Sequence, residues 1–240
     1  MKRRQNVDKR ARGNVGTFGL LRKEVSVHRF VSRRRRPSRL DDYSESETAH
    51  IVHRPARVYV LADAPIETYV EQFERFCEIA RVICRLAGVE DSYESAPVEG
   101  FWHSPSHSTF DPNLKGEWQC TLGVCISRVM GESLPAATLR DANVLSLQAS
   151  ELIRSIVGGP AVQALHQGPY ENVGDTITKI GRFANANRYE PVGPHHEIYL
   201  TDPRVTKPSY LRTIVRQSCA REEQWTIRPP SVLEPMESDG

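Results

Sequence analysis

RVYVLADAPIETYVEQFERFCEIARVICRLAG, residues 57–88, decides the fold class. Its first part, Arg57 to Leu61, is rich in β-branched and aromatic residues and reads as a strand. After Pro65 the periodicity changes. Ile66, Tyr69, Val70, Phe73, Phe76, Cys77, Ala80, Ile83, Cys84 and Ala87 recur at the i, i+3, i+4, i+7 spacing of a helix with one apolar face. Gly88 stands where a helix C-cap is expected. Cys77 and Cys84, seven residues apart, fall on the apolar stripe, which makes them core thiols rather than reactive ones.

Further along, Val98 to His103 and Trp118 to Ile126 read as strands. The stretch between them, Ser104 to Gly116, is rich in Pro, Ser, His and Asn and reads as a loop. Residues 131–160 fit a helix or two short strands equally well through Leu145, Leu147, Leu152, Ile153, Ile156 and Val157, until Gly158-Gly159-Pro160 breaks the run. The order then repeats. Val162 to His166 is a strand and Gly168-Pro169 a turn. Val173, Ile177, Ile180, Phe183 and Ala184 have helical spacing, and His196 to Leu200 and Leu211 to Val215 are two more strands. Pro97-Val98 and Pro191-Val192 precede the third element of each half, with Trp102 and Tyr199 at similar offsets. The expectation is an α+β fold of duplicated β-α-β-β modules. Each unit has one helix to cover one sheet face. The two antiparallel sheets would lie side by side, with a ligand cleft between them.

Composition sets the frame. The chain has 240 residues, 39% of them hydrophobic and 26% charged, and no run of about 18 apolar residues that could cross a membrane as a helix. Residues 1–40 carry 14 Lys or Arg against two acids, Asp8 and Glu24; the other 200 carry 18 bases against 28 acids. A basic extension on an acidic body follows. The boundaries expected are an extension at 1–49, a domain at 50–222 with pseudo-repeats at about 50–130 and 140–220, and a tail at 223–240. The run Arg33-Arg34-Arg35-Arg36 favours an extended, solvated chain. As an arm it could grip nucleic acid or anionic lipid, serve as a transit peptide, or have no role. A helix-turn-helix regulator finds no support there, because the region lacks paired helical periodicity. Five cysteines, an odd number with no C-x-x-C, argue against a disulfide framework and a zinc site and for a reducing, cytoplasmic setting.

Several chemistries are unsupported. No phosphate loop, dinucleotide fingerprint, nucleophile elbow or H-E-x-x-H occurs. His103 and His107 have Pro105 between them in a loop and make a weak metal pair. His195 and His196 are adjacent on a strand and face opposite ways. The informative stretch is Gly193 to Pro203, GPHHEIYLTDP. On a strand, Glu197 and Tyr199 share one face; His196, Ile198 and Leu200 share the other, natural core face. If an opposing sheet covers the first face, Glu197 is a desolvated carboxylate among aromatics. It then suits a cationic ligand or general acid–base work; otherwise it is a surface acid on an edge strand. Glu99, before Gly100, reads equally as a second acid or an exposed residue.

His166-Gln167-Gly168-Pro169-Tyr170, the helix after it and Gly193 to Pro203 resemble the GyrI-like small-molecule-binding domain. Pro203 to Pro208, Thr213 to Gln217 and the first-half segment Pro97 to Trp102 are similar to a stand-alone subgroup that includes cyclopropanoid cyclopropyl hydrolases. The resemblance is dense over residues 160–217, thin over 50–130 and absent from the first 49. It implies two β-α-β-β modules with a cleft in which Glu197 is the carboxylate and Tyr199 lies close by. Tyr170, Trp102, His166 and Trp118 are then candidate walls. Two functions follow. One is a module that senses or sequesters an amphipathic small molecule, cationic or neutral. The other is a metal-independent hydrolase that opens strained rings, with Glu197 as general acid or base and Tyr199 orienting the substrate. Neither reading calls for a metal or cofactor. The expected partner is a small molecule, with nucleic acid unexpected for the domain itself.

Overall fold

The computed structural model describes residues 43–90, 94–104, 110, 117–130 and 152–221. The expectations for Arg33 to Arg36, His107, Leu145, Leu147 and the tail at 223–240 lie outside these residues. In chain order the elements are β1 (His50–Arg54), β2 (Arg57–Ala64), α1 (Tyr69–Ala87), β3 (Val98–His103), β4 (Gln119–Cys125) and α2 (Ile126–Met130). Then come β5 (Leu152–Ile156), β6 (Gly159–Gln167), α3 (Val173–Ala186), β7 (Tyr189–Tyr199) and β8 (Arg212–Arg221). The mixed class of helix and strand is as the sequence indicated. The segment left between helix and strands resolves, for Leu152 to Ile156, as a strand.

The expectation of two sheets is corrected. All eight strands form one antiparallel sheet in the order β1-β6-β8-β7-β3-β4-β2-β5. The halves join because β3 pairs directly with β7, from Glu99 opposite Ile198 to Trp102 opposite His195. The sheet must curl. In a flat sheet β1 and β2 would lie six strand spacings apart, roughly 29 Å. Yet only Pro55 and Ala56 connect them, and three residue steps span at most about 11 Å. The link from β5 to β6 is equally short, so the two connections pass at close range. A Cβ on Gly158 would stand 2.3 Å from the Arg54 carbonyl oxygen and 2.6 Å from the Pro55 carbonyl carbon, backbone that cannot yield.

The two longer helices, α1 and α3, lie on one face of the sheet. α1 follows a single 3-10 turn at Ile66–Thr68, whose last N–H donates to the Pro65 carbonyl. It buries Phe73, Phe76, Cys77, Ile79, Ala80, Ile83 and Cys84 against β2, β3 and β4. It ends at Gly88, whose φ of 65° is the left-handed conformation that lets its N–H and that of Val89 close on the last carbonyls. Shorter α3 buries Thr176, Ile180 and Ala184 against β6, β7 and β8.

The other face is the inside of the curl. Arg57 of β2 and Arg216 of β8, four strand spacings apart, both bring their guanidinium within 5.4 Å of the Tyr43 ring. This face holds Tyr59, Leu61, Phe101, Cys125 and Ile156, with Leu165, Ile198, Leu200 and Ile214 around Tyr43. Among the described residues, packing extends ahead of residue 50, as far as Tyr43. Tyr43 and Ala49 are buried, Ser46 accepts a hydrogen bond from the Leu165 N–H, and Ser44 accepts one from Gln163. Charge repulsion in the basic run masked this, since composition cannot show that one tyrosine downstream has a buried partner.

Candidate functional site

β7 starts at Tyr189, earlier than its apolar stretch suggested, because Pro191, Gly193 and Pro194 sit in a bulge rather than ahead of the strand. Pairing with β8 shifts register between Pro191 and His195, and Gly193 takes a φ of 66°. The Gln217 amide fills the gap by donating to the Val192 carbonyl at 2.9 Å. After the bulge, pairing runs unbroken from His195 to Tyr199 and fixes the facing of every side chain there. His195, Glu197 and Tyr199 point to the helix face; His196 and Ile198 point into the curl. Among the described residues, helices and no opposing sheet cover Glu197.

A cavity of about 430 Å³ opens on the helix face at the β3–β7 junction. β3 and β7 supply Trp102, Glu197 and Tyr199; α1 supplies Tyr69, Val70 and Phe73; α3 supplies Val173 and Ile177. Phe110, Trp118, Tyr170, Pro203 and Arg204 complete the lining. The sequence-derived residues Glu197, Tyr199, Tyr170, Trp102 and Trp118 thus meet at one cavity. His166 does not border it. Its ring bridges the Thr176 hydroxyl of α3 and the Pro169 carbonyl, at 3.0 and 3.2 Å, and ties β6 to the following turn. The α1 contribution was hidden in the sequence because a helical stripe shows that a face is covered, not whether a sheet or a void covers it. Phe110 had no signal, being one aromatic in a polar loop.

The polar groups of the cavity are few and ordered. Tyr199 Oη receives the Trp102 indole N–H at 3.2 Å and lies 3.2 Å from Tyr69 Oη. This cluster needs Gly100, where a Cβ would come within 2.7 Å of Tyr199 Oη and 3.0 Å of Trp102 Nε1. Burial, helped by the Glu197 charge, pushes the phenols of Tyr69, Tyr170 and Tyr199 and the thiol of Cys120 up, so all four stay neutral at ordinary pH. Glu197 is nearly buried, and His195 Nε2 donates to its Oε1 at 3.3 Å. At the mouth Arg204 is clamped to Asp202, Nε to Oδ1 at 2.9 Å and Nη2 to Oδ2 at 2.6 Å. Among the described residues no group of three or more His, Cys, Asp or Glu stands within metal-holding range.

Glu99 is neither a cavity acid nor exposed. It is completely buried inside the curl, where three donors converge on it: Tyr43 Oη at 2.5 Å, His196 Nε2 at 2.7 Å and Tyr59 Oη at 3.1 Å. Burial works to raise its carboxyl, but the His196 and Tyr43 hydrogen bonds and the Arg216 charge outweigh it and hold the group low. Burial also brings His196 down to about 4, against the pull of Glu99, so the pair is a carboxylate accepting from a neutral imidazole. The guanidinium of Arg128 lies 3.8 Å from the centre of the Tyr43 ring.

Comparison with known proteins agrees with this architecture. Residues 59–216 match the GyrI-like small molecule binding domain. Among solved structures, an uncharacterized conserved protein from Listeria innocua superposes with a TM-score of 0.59 at 21% identity, over 74% of this chain and 95% of that one. Two crystal structures described as a hydrolase from the same organism give TM-scores of 0.54 and 0.52 at 21% and 20% identity, each over 74% of this chain and 94% of the other. At such identities the likeness is one of fold. No curated protein matches the chain.

Proposed function

Because the chain belongs to the family of GyrI-like small-molecule-binding domains, we propose that it binds an amphipathic small molecule with a cationic centre, for sensing or sequestration, in the cavity at the β3–β7 junction. The observation that carries this reading is the position of Glu197. It is the only acid among the described residues that line the cavity, in a wall otherwise made mostly of aromatic and aliphatic side chains. The volume of about 430 Å³ lies in the range of small-molecule sites, roughly 300–1,000 Å³. Low polarity makes one anionic group count for more than it would in water. Tyr and Trp faces around it add cation–π attraction. Arg204 does not cancel the acid's charge, since Asp202 already holds it at the mouth.

The test compares tetraphenylphosphonium, a bulky lipophilic cation, with the neutral dye Nile red on wild type and Glu197→Gln. The expected result is cation affinity weakened about tenfold or more, equivalent to about 1.4 kcal/mol, with Nile red affinity kept within about twofold. Equal cation affinity in the two proteins would overturn the reading.

A second reading, hydrolysis of a strained ring, is favoured by one feature. Glu197 Oε2 has no hydrogen-bond partner among the described residues, and the Tyr199 hydroxyl also lines the cavity. In that chemistry Glu197 takes a proton from water as the water oxygen bonds to a ring carbon. The released carbon–carbon electron pair passes into a conjugated carbonyl that Tyr199 hydrogen-bonds. Product formed from a reactive cyclopropane by wild type but not by Glu197→Gln supports it.

A further inference from the structure

We infer that His195 is the positioning residue that aims the Glu197 carboxylate at the cavity. The inference deepens the binding reading and rests on it. His195 and Glu197 are two residues apart on β7 and so share a face, and their side chains meet at 3.3 Å. The carboxylate can only accept, so His195 presents its Nε2–H to Oε1. That bond uses one carboxylate oxygen and leaves Oε2, without a partner among the described residues, as the atom a ligand meets.

The imidazole itself is closely packed. It is 1% exposed, stacks on Phe110 with ring centroids 4.9 Å apart and planes at 23°, and pairs across the sheet with Trp102 on one side and Gln217 on the other. Its second nitrogen, Nδ1, is buried with no hydrogen-bond partner among the described residues. An imidazole packed this way is a poor core residue, because one of its two polar atoms goes unpaired. The bond to Glu197 accounts for its presence there. It fixes the carboxylate rotamer beside the aromatic wall, and a ligand does not have to order the acid on binding. A flexible glutamate in the same cavity would present its charge over a range of positions and discriminate less between a cation and a neutral molecule of similar size.

The test uses the full-length protein and the two probes above, with His195→Phe to remove the donor and His195→Gln to restore an N–H near the position of Nε2. His195→Phe should lose cation over Nile red selectivity about tenfold, and His195→Gln should recover it to within about threefold of wild type. Three outcomes overturn the inference: His195→Phe with unchanged selectivity, loss of both probes in parallel, or a folded His195→Gln as unselective as His195→Phe. Should His195→Phe fail to fold, the ¹⁵N resonances of His195 in the wild type decide. They should shift when tetraphenylphosphonium is added and not do so in Glu197→Gln; unmoved wild-type resonances overturn the inference. If Glu197→Gln itself binds the cation as well as wild type does, the binding reading falls with it. If only the His195 variants behave like wild type, that reading stands and the role of His195 alone is lost.

Discussion

Replacing Tyr43 with Phe removes one oxygen atom and should destabilise the whole fold. The Tyr43 hydroxyl donates to Glu99 Oε1 at 2.5 Å, and Glu99 is 0% exposed, so no water is at hand to replace the donor. A hydrogen bond to a charged group contributes about 1.5–3 kcal/mol, and a buried acceptor left short of a donor pays its desolvation in full. The phenyl ring keeps its apolar packing and stays beside the Arg128 guanidinium, so the cavity term is negligible. A change of about 2 kcal/mol is the expected outcome, read as a lower urea midpoint with unchanged slope in tryptophan fluorescence. In a packed unit of 150 residues or more this corresponds to roughly 4–8 °C in Tm. Combining Tyr43→Phe with Glu99→Gln closes a double-mutant cycle, and the coupling between the two should exceed about 1 kcal/mol. A Tyr43→Phe protein within about 0.5 kcal/mol of wild type would refute the reasoning, and with it the claim that the segment ahead of residue 50 belongs to the packed body.

Two further outcomes follow from the same geometry. Stability should fall on acidification between about pH 6.5 and 4, because His196 is held neutral down to about 4 in the fold while the unfolded chain takes up a proton near 6.5. Protons therefore favour unfolding throughout that window by up to about 3 kcal/mol, and Glu99, held below its ordinary value, acts in the same direction at lower pH. Urea midpoints measured against pH check this, and the slope between pH 6.5 and 4 should flatten in His196→Phe. Gly100→Ala should push Tyr199 Oη and Trp102 Nε1 aside by placing a methyl group 2.7 and 3.0 Å from them. The expected cost is about 1–3 kcal/mol of stability and a measurable loss of Nile red affinity; wild-type behaviour in both would show that the wall has room to yield.

Much of this protein was legible in its residues, where short-range physics sets the answer. The stripe from Tyr69 to Cys84 and the cap at Gly88 specify α1 because helical spacing and left-handed φ are local properties. Alternation along β7 put Glu197 and Tyr199 on one face and His196 on the other because strand side chains alternate whatever lies around them. The tertiary structure decided what each face meets. Pairing of β3 with β7 merged the expected sheets into one, and two-residue links between distant strands forced that sheet to curl. The curl drew Tyr43, Glu99, His196 and Arg216 together from four places in the chain. Helices closing over the opposite face turned an ordinary apolar stripe into the cavity wall around Glu197. Proximity of that kind comes from the path of the whole backbone, and spacing along the sequence does not encode it.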